Sequence, residues 1–451
     1  MKQQEQKEQE FAFIKEKIKD KPINKRRLLI RMGYNLLCAV IFGAVVCFIF
    51  VLLKPYMEEW LYPVEDSTIS IPKDDVPQDA ENKVKDNGEE KKEEEKKEEE
   101  KKEEEKKKEE KKEEEKPPRE PIVVQEELEI EDYQALQNKL YAIGKQANKS
   151  VVTVTGVTSS MDWFDTPYEN ENRSAGIIIG NNGQELLILT EKRVITDAQS
   201  IRITFINDKV VSASLKKYDG NTGIAIISVP LEEISKETLE KVVVASLGNS
   251  YMINQGTAVI AIGSPLGANY SILCGTITSS QNQVSTIDTN YTIFTTDIVG
   301  SENGSGVLIN LKGEIVGLVL QGYSSNSDRN TITALSVSEL KQIIEDLSNN
   351  RDIPYIGLRL STVTDEIAEE YGIPKGVYIK SVELDSPAMI AGLQEADVIT
   401  KINGEEVSTV EQYNLKIYPL NPEDVVSITI KRQGAEEYVD LDCMVTVGVL
   451  K

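Results

Sequence analysis

The sequence predicts a predominantly β molecule, anchored at a membrane by one N-terminal helix and closed by a small α+β domain. Three observations carry this. An uncharged apolar run covers residues 32–53. Residues 89–116 contain nothing but glutamate and lysine. Beyond them, nine short β-type runs follow one another with turn residues between: SVVTVTGV, AGIIIG, ELLILT, SIRITFI, GIAIISV, TAVIAIG, TIFTT, GVLINL and EIVGLVL.

The apolar run reads MGYNLLCAVIFGAVVCFIFVLL. As a helix it is about 33 Å long, enough to cross a hydrocarbon layer of roughly 30 Å. A cleaved leader would be shorter and end at a small-x-small site, whereas this run ends in FVLLKPY. Residues 1–31 carry Lys15, Lys17, Lys19, Lys21, Lys25, Arg26, Arg27 and Arg31, while Glu58 and Glu59 follow soon after Lys54. That bias places the N-terminus in the cytoplasm and the rest of the chain outside, as a single-pass protein of the cell membrane.

Residues 54–120 read as a spacer. Residues 66–88 are rich in Pro, Asp and Asn and are expected to be disordered. The tract 89–116 repeats KKEEE, with 16 Glu and 12 Lys. Glu93 and Lys97 form one of its i,i+4 pairs. With no apolar stripe it is either one solvated helix of about 42 Å or a charged coil. Pro117, Pro118 and Pro121 end it.

Residues 121–349 form the β domain. DYQALQNKLYAIGKQAN at 132–148 opens it as a helix, and SVSELKQIIEDL at 336–347 closes it, with Ser336 or Ser338 as N-cap. Residues 350–451 alternate strands with two short helical stretches, and their length suits an independent domain.

Composition excludes several functions. Net charge is −24, which argues against a nucleic-acid partner. The four cysteines show no paired spacing, and Cys274 and Cys443 are expected as free thiols. The chain contains no histidine, so it holds neither a Ser-His-Asp triad, nor a Cys-His dyad, nor a His-ligated metal. No cofactor and no metal are expected.

Residues 139–445 resemble the HtrA/DegP serine proteases, which join a two-barrel trypsin-like domain to PDZ domains. LTEKRVITDAQSIRITF at 189–205 is similar to the family segment ending T-N-N-H-V-I, with Arg193 where the general base belongs. YDGNTGIAIISV at 218–229 resembles D-x-x-T-D-L-A-V-L, with Gly223 in place of the orienting aspartate. VIAIGSPLG at 259–267 matches a family signature. TTDIVGSENGSGVLINLKGEIVGL at 295–318 matches the region around the nucleophile. Aligned without a gap, the nucleophile falls on Gly304 and an oxyanion-hole glycine on Glu302; a shift of one residue places the nucleophile on Ser305. A hydroxyl attacks only once a base takes its proton, and a guanidinium stays protonated. The resemblance therefore implies a homologue without hydrolytic activity, a pseudoprotease. Ser305 with Lys192, as a Ser-Lys pair, is the alternative that keeps an enzyme. Arg193 itself reads either as filler of a collapsed cleft or as a fixed cation for a peptide carboxylate.

IPYIGLRLS at 353–361 resembles the carboxylate-binding loop and first pairing strand of PDZ domains. GVYIKSVELDSPAMIAGLQEADVITKINGEEV at 376–407 resembles their core, with Glu395-Ala396 in place of the usual P-G. The resemblance implies peptide binding by strand addition, with Tyr355, Ile356, Gly357, Leu358, Arg359 and Leu360 lining the site and 409–418 as the flanking helix. The partners it implies are polypeptide C-termini or unfolded proteins, and it implies a homo-oligomer, a trimer. Three functions follow: a membrane-bound peptide sensor, scaffold or holdase in envelope quality control; an endopeptidase of unusual mechanism; or a structural envelope scaffold.

Overall fold

The computed structural model describes residues 68–75, 129–161, 167–324 and 330–450. The apolar run 32–53, the basic segment before it and the Glu-Lys tract lie outside the described residues. Among the described residues no helix is long and apolar enough to cross a membrane.

Helix α1 (Ile130–Ala147) opens the domain where the sequence places it. The first barrel follows, from β1 (Val151–Met161), β2 (Pro167–Asn181), β3 (Glu185–Glu191), the one-turn helix α2 (Lys192–Ile195), β4 (Ser200–Thr204), β5 (Val210–Tyr218) and β6 (Ile224–Pro230). Its strand order is β1-β2-β3-β6-β5-β4, closed by β1 on β4 with Val154 opposite Ile203. After helix α3 (Lys236–Lys241) comes the second barrel: β7 (Ala258–Ser264), β8 (Ser271–Ser285), β9 (Asn290–Val299), β10 (Ser305–Ile309), β11 (Ile315–Leu320) and β12 (Thr331–Ser336). Its order is β10-β11-β12-β9-β8-β7, closed by β10 on β7. Closure leaves neither sheet an open edge.

The strongly apolar runs became the buried strands, β3, β6, β7, β10 and β11. The sequence missed β5, β8 and β12. Strands β5 and β8 are for the most part only half-buried and carry Ser, Lys, Gln and Asn along much of their length, so no long apolar run marks them. Strand β12 is buried but short, TITALS, and its partners supply the rest of its environment.

Helix α4 (Val337–Ser348) packs Val337, Leu340, Ile343, Ile344 and Leu347 into a core shared with both barrels. Ser336 stands at its N-cap, but its hydroxyl does not cap the helix; it pairs with the Ser250 hydroxyl at 2.7 Å. The Ser338 hydroxyl meets Asp74 instead.

That aspartate corrects the spacer reading for eight residues. Residues 68–75 lie along α4 rather than free. The Ile69 amide donates to Asn349 Oδ1 at 2.8 Å, Asn349 Nδ2 returns a bond to the Ile69 carbonyl, and the Ile71 amide donates to Glu345. Ile71 joins the shared core, and Asp74 pairs at 2.8 Å with Lys341, a lysine only 3% exposed. Proline and aspartate density marks a chain that cannot fold alone; here it folds against a partner surface far along the sequence.

The C-terminal domain comprises β13 (Pro354–Tyr355), β14 (Leu358–Thr362), α5 (Asp365–Tyr371), β15 (Val377–Val382), α6 (Pro387–Ile390), β16 (Val398–Ile402), β17 (Glu405–Glu406), α7 (Val410–Ile417), β18 (Val425–Gln433), β19 (Tyr438–Thr446) and β20 (Gly448–Val449). Strands run β14-β15-β16-β18-β19, and Leu358, Leu360, Ile379, Ile399, Tyr413 and Ile428 fill a separate core. The Glu395-Ala396 departure is absorbed in a turn: Ala396 takes φ +71° and its amide bonds the Ile379 carbonyl. Cys274 and Cys443 are both free thiols.

Candidate functional site

Two places gather the residues singled out by the sequence: the cleft between the barrels and the loop entering β14. The cleft holds about 400 Å³ and is lined by Glu191, Arg193, Gly223, Glu302, Asn303 and Tyr323 among others.

Arg193 sits on α2, where the chain leaves β3. Its Nε donates to Glu191 Oε2 at 2.5 Å and its Nη2 to Glu191 Oε1 at 3.2 Å. On the other side, Nη2 donates to the Asn303 carbonyl at 3.0 Å and Nη1 to Asn303 Oδ1 at 3.3 Å. The bond to Glu191 raises the guanidinium pKa further above its ordinary value, so it carries a permanent charge. Arg193 therefore ties α2 to the loop before β10, in the manner of a filler that also cross-links.

Gly223 lies in the tight loop between β5 and β6. Its φ is +76°, its carbonyl accepts the Lys192 amide at 2.7 Å, and its own amide bonds the Asp219 carbonyl. A side chain there would be strained by the backbone alone. Asp219, fully buried, organises the loop by accepting from the Asn221 and Thr222 amides and the Thr222 hydroxyl.

The two nucleophile alignments differ in structure. Gly304 is clamped: its amide bonds the Ser301 carbonyl at 2.7 Å, and a Cβ there would stand 2.6 Å from the Pro265 carbonyl oxygen. Ser305 opens β10 with its side chain turned inward, 1% exposed, its Oγ accepting the Ala175 amide at 2.9 Å. Lys192, the other half of the Ser-Lys alternative, stacks its ammonium 3.7 Å over the Tyr218 ring. Each member of that pair is held elsewhere.

At the second place, the amides of Ile356, Gly357 and Leu358 converge on one carboxylate. It belongs to Asp288, at the tip of the β8–β9 hairpin of the second barrel. Ile356 N donates to Oδ2 at 2.8 Å, Gly357 N to Oδ2 at 2.9 Å, and Leu358 N to Oδ1 at 2.9 Å; the Tyr413 hydroxyl of α7 donates to Oδ1 at 3.2 Å. Gly357 has φ +95°, and a Cβ on it would come within 2.3 Å of Ser386 Cβ. Only glycine lets three successive amides face inward there. Burial pushes the Asp288 carboxyl up to about 6, and the four hydrogen bonds pull against that shift. The contact continues along the strand: the Asp288 amide donates to the Leu358 carbonyl at 2.6 Å, and Ser285 Oγ and Asn290 Nδ2 both reach the Leu360 carbonyl. Arg359 reaches the Ser285 carbonyl and pairs with Glu383, and Asn414 of α7 bonds Thr289 at 2.7 Å. Tyr355 contributes no amide to the cradle; it pairs with Gly448 in the β13–β20 ladder.

Residues 174–318 match the trypsin-like peptidase domain, and residues 354–443 match the PDZ domain. The chain is 26% identical over 286 residues to the serine protease Do-like HtrA of Lactobacillus helveticus, covering 59% of this chain and 67% of that protein. It is 29% identical over 283 residues to the serine protease Do-like HtrB of Bacillus subtilis, covering 58% of this chain and 59% of that protein. The chain belongs to the HtrA/DegP family. The solved structure of the HtrA-type protease AlgW with decapeptide superposes with a TM-score of 0.52 at 20% identity, covering 69% of this chain and 98% of that one, which supports the fold.

Membership overturns one expectation. The sequence reading makes this HtrA homologue no enzyme, yet the relatives that place it in the family are named serine proteases. Residue types at three positions define one route to an activated hydroxyl, not the capacity of the whole scaffold, so inactivity does not follow from Arg193, Gly223 and Gly304. With no imidazole in the chain, any hydrolysis by this HtrA protein draws on another base.

Sequence reasoning did not find Asp288. It stands in an unremarkable turn, T-I-D-T-N, and meets residues 68 to 125 positions away. No local signal marks such a contact.

Proposed function

We propose that this chain is a membrane-anchored HtrA-type protein that works on polypeptides outside the cytoplasm, gripping them by the C-terminal carboxylate in its PDZ groove. The observation that carries this is the cradle of Ile356, Gly357 and Leu358 amides around a carboxylate. An α-carboxylate presents the same two oxygens, and the carbonyls of Leu358 and Leu360 offer an extended ligand its backbone partners. Tyr355, Arg359 and Leu360 border the groove, as the family resemblance implies. The relatives' names supply polypeptide as the substrate class, and the apolar run 32–53 supplies the anchor. In this reading the cleft between the barrels, with its acidic Glu191 and Glu302, is the second surface a bound polypeptide meets, and family membership makes a homo-oligomer the working assembly.

The test is incubation of the full chain in detergent with fluorescent unfolded casein, reading co-elution and fragmentation separately. Co-elution is expected. Casein that neither co-elutes nor is cut would refute the proposal, and fragments that vanish in Ser305→Ala would assign cleavage to that hydroxyl.

A further inference from the structure

We infer that Asp288 is an internal ligand of the PDZ groove, and that a polypeptide C-terminus enters only by displacing it. The inference rests on the reading of the groove given above and adds how access to it is controlled.

The chemistry of the contact is that of a bound C-terminus. Three consecutive amides and the Tyr413 hydroxyl surround the two oxygens of a carboxylate. The residue bearing it also pairs its own amide with the Leu358 carbonyl, as an incoming peptide's backbone would. The neighbours extend the imitation: Ser285 and Asn290 take the Leu360 carbonyl, and Thr289 takes Asn414 on the helix side of the groove. The hairpin tip thus lies against both β14 and α7. An ordinary domain contact would not need a carboxylate at the one point where the backbone forms an anion cradle.

The tip is also held from behind, so its position is not an accident of a free loop. Asn221 of the first barrel donates Nδ2 to the Ile287 carbonyl at 2.8 Å and accepts the Ile287 amide on Oδ1 at 3.1 Å. Asp288 itself takes φ +60°, a turn conformation that aspartate tolerates. A carboxylate presented on the same chain competes at a high effective concentration, so it lowers the apparent affinity of every external carboxylate by the fraction of time it is seated.

The experiment uses the full chain in detergent and two fluorescein-labelled decapeptide libraries randomised at the last four residues, one with free carboxylates and one with C-terminal amides. Asp288→Ala is expected to bind the free-acid library about tenfold more tightly than the unsubstituted chain. Asp288→Asn keeps the side-chain shape, serves as the folding control and is expected to give a smaller gain. The amide library should bind neither, and Gly357→Ala added to Asp288→Ala should abolish the gain. Independently of any peptide, amide hydrogen exchange at 356–358 should accelerate in Asp288→Ala. Equal free-acid binding with and without Asp288, or unchanged exchange at 356–358, overturns the inference while leaving the groove a peptide site. No binding of either library by any variant overturns the peptide-site reading, and the inference falls with it.

Discussion

Burial pushes the carboxyls of Glu339 and Asp288 well above the ordinary carboxylate range. Glu339 on α4 is pushed up to about 7, chiefly by burial and secondarily by Glu411, against the pull of its bonds from the Thr292 amide and hydroxyl. Asp288 is raised to about 6, and the titratable groups beside it, Tyr355, Tyr413 and Tyr418, all have their own values raised rather than lowered. Both carboxyls hold their proton more tightly in the folded than in the unfolded chain. The stability they contribute is therefore complete below about pH 4 and is lost as pH climbs, through about 6 for Asp288 and about 7 for Glu339. Urea unfolding should accordingly show a chain less stable at about pH 8 than at about pH 5. Glu339→Gln, neutral at every pH and able to keep the bond from the Thr292 amide, should shrink that drop by roughly 2 kcal/mol. An undiminished drop in the variant would refute the assignment.

At the scale of elements, the unexpected one is the short stretch 68–75 lying on α4. Its attachment combines a reciprocal pair of bonds with Asn349, the burial of Ile71 and the Asp74–Lys341 ion pair. Lys341 is nearly enclosed, and removing Asp74, its ionic partner, would leave a buried charge uncompensated. Ile71→Ala should cost about 2 kcal/mol, the usual loss for truncating a buried isoleucine, and Asp74→Ala should cost at least as much. Thermal unfolding checks both, and wild-type melting in either variant would show that the stretch only rests on the surface. The two long helices, α1 and α4, and the apolar strands were legible because each carries its own periodicity or run, whereas the short helices α2 and α3 were not, and the C-terminal domain has three helices where two were expected. The docked stretch was not, because its order comes from Asn349, Glu345 and Lys341, some 270 residues later in the chain.

At the scale of the whole molecule, the proposed function makes the chain a tethered polypeptide handler, and the contact the structure itself supplies is that of the C-terminal domain with Asp288 of the second barrel. The tether is a prediction of its own. The full chain should sediment with membranes, deletion of residues 32–53 should release it, and protease added outside intact cells should degrade the part beyond residue 54. Protection of that part in intact cells would reverse the orientation.

Alone, the sequence determined the β architecture, the two domain families and the residue types standing at each family position, because runs, periodicity and motifs are local and survive without neighbours. It also made the glycine of the carboxylate loop identifiable, since the motif around Gly357 is continuous in sequence. Only the tertiary structure decided what those residues meet: Arg193 bound to Glu191 and Asn303, Ser305 turned inward onto Ala175, and the carboxylate of Asp288 in the amide cradle. Each is a meeting of distant segments, fixed by how barrels and domains pack, and hydrogen-bond partners chosen by packing leave no trace in the local order of residues.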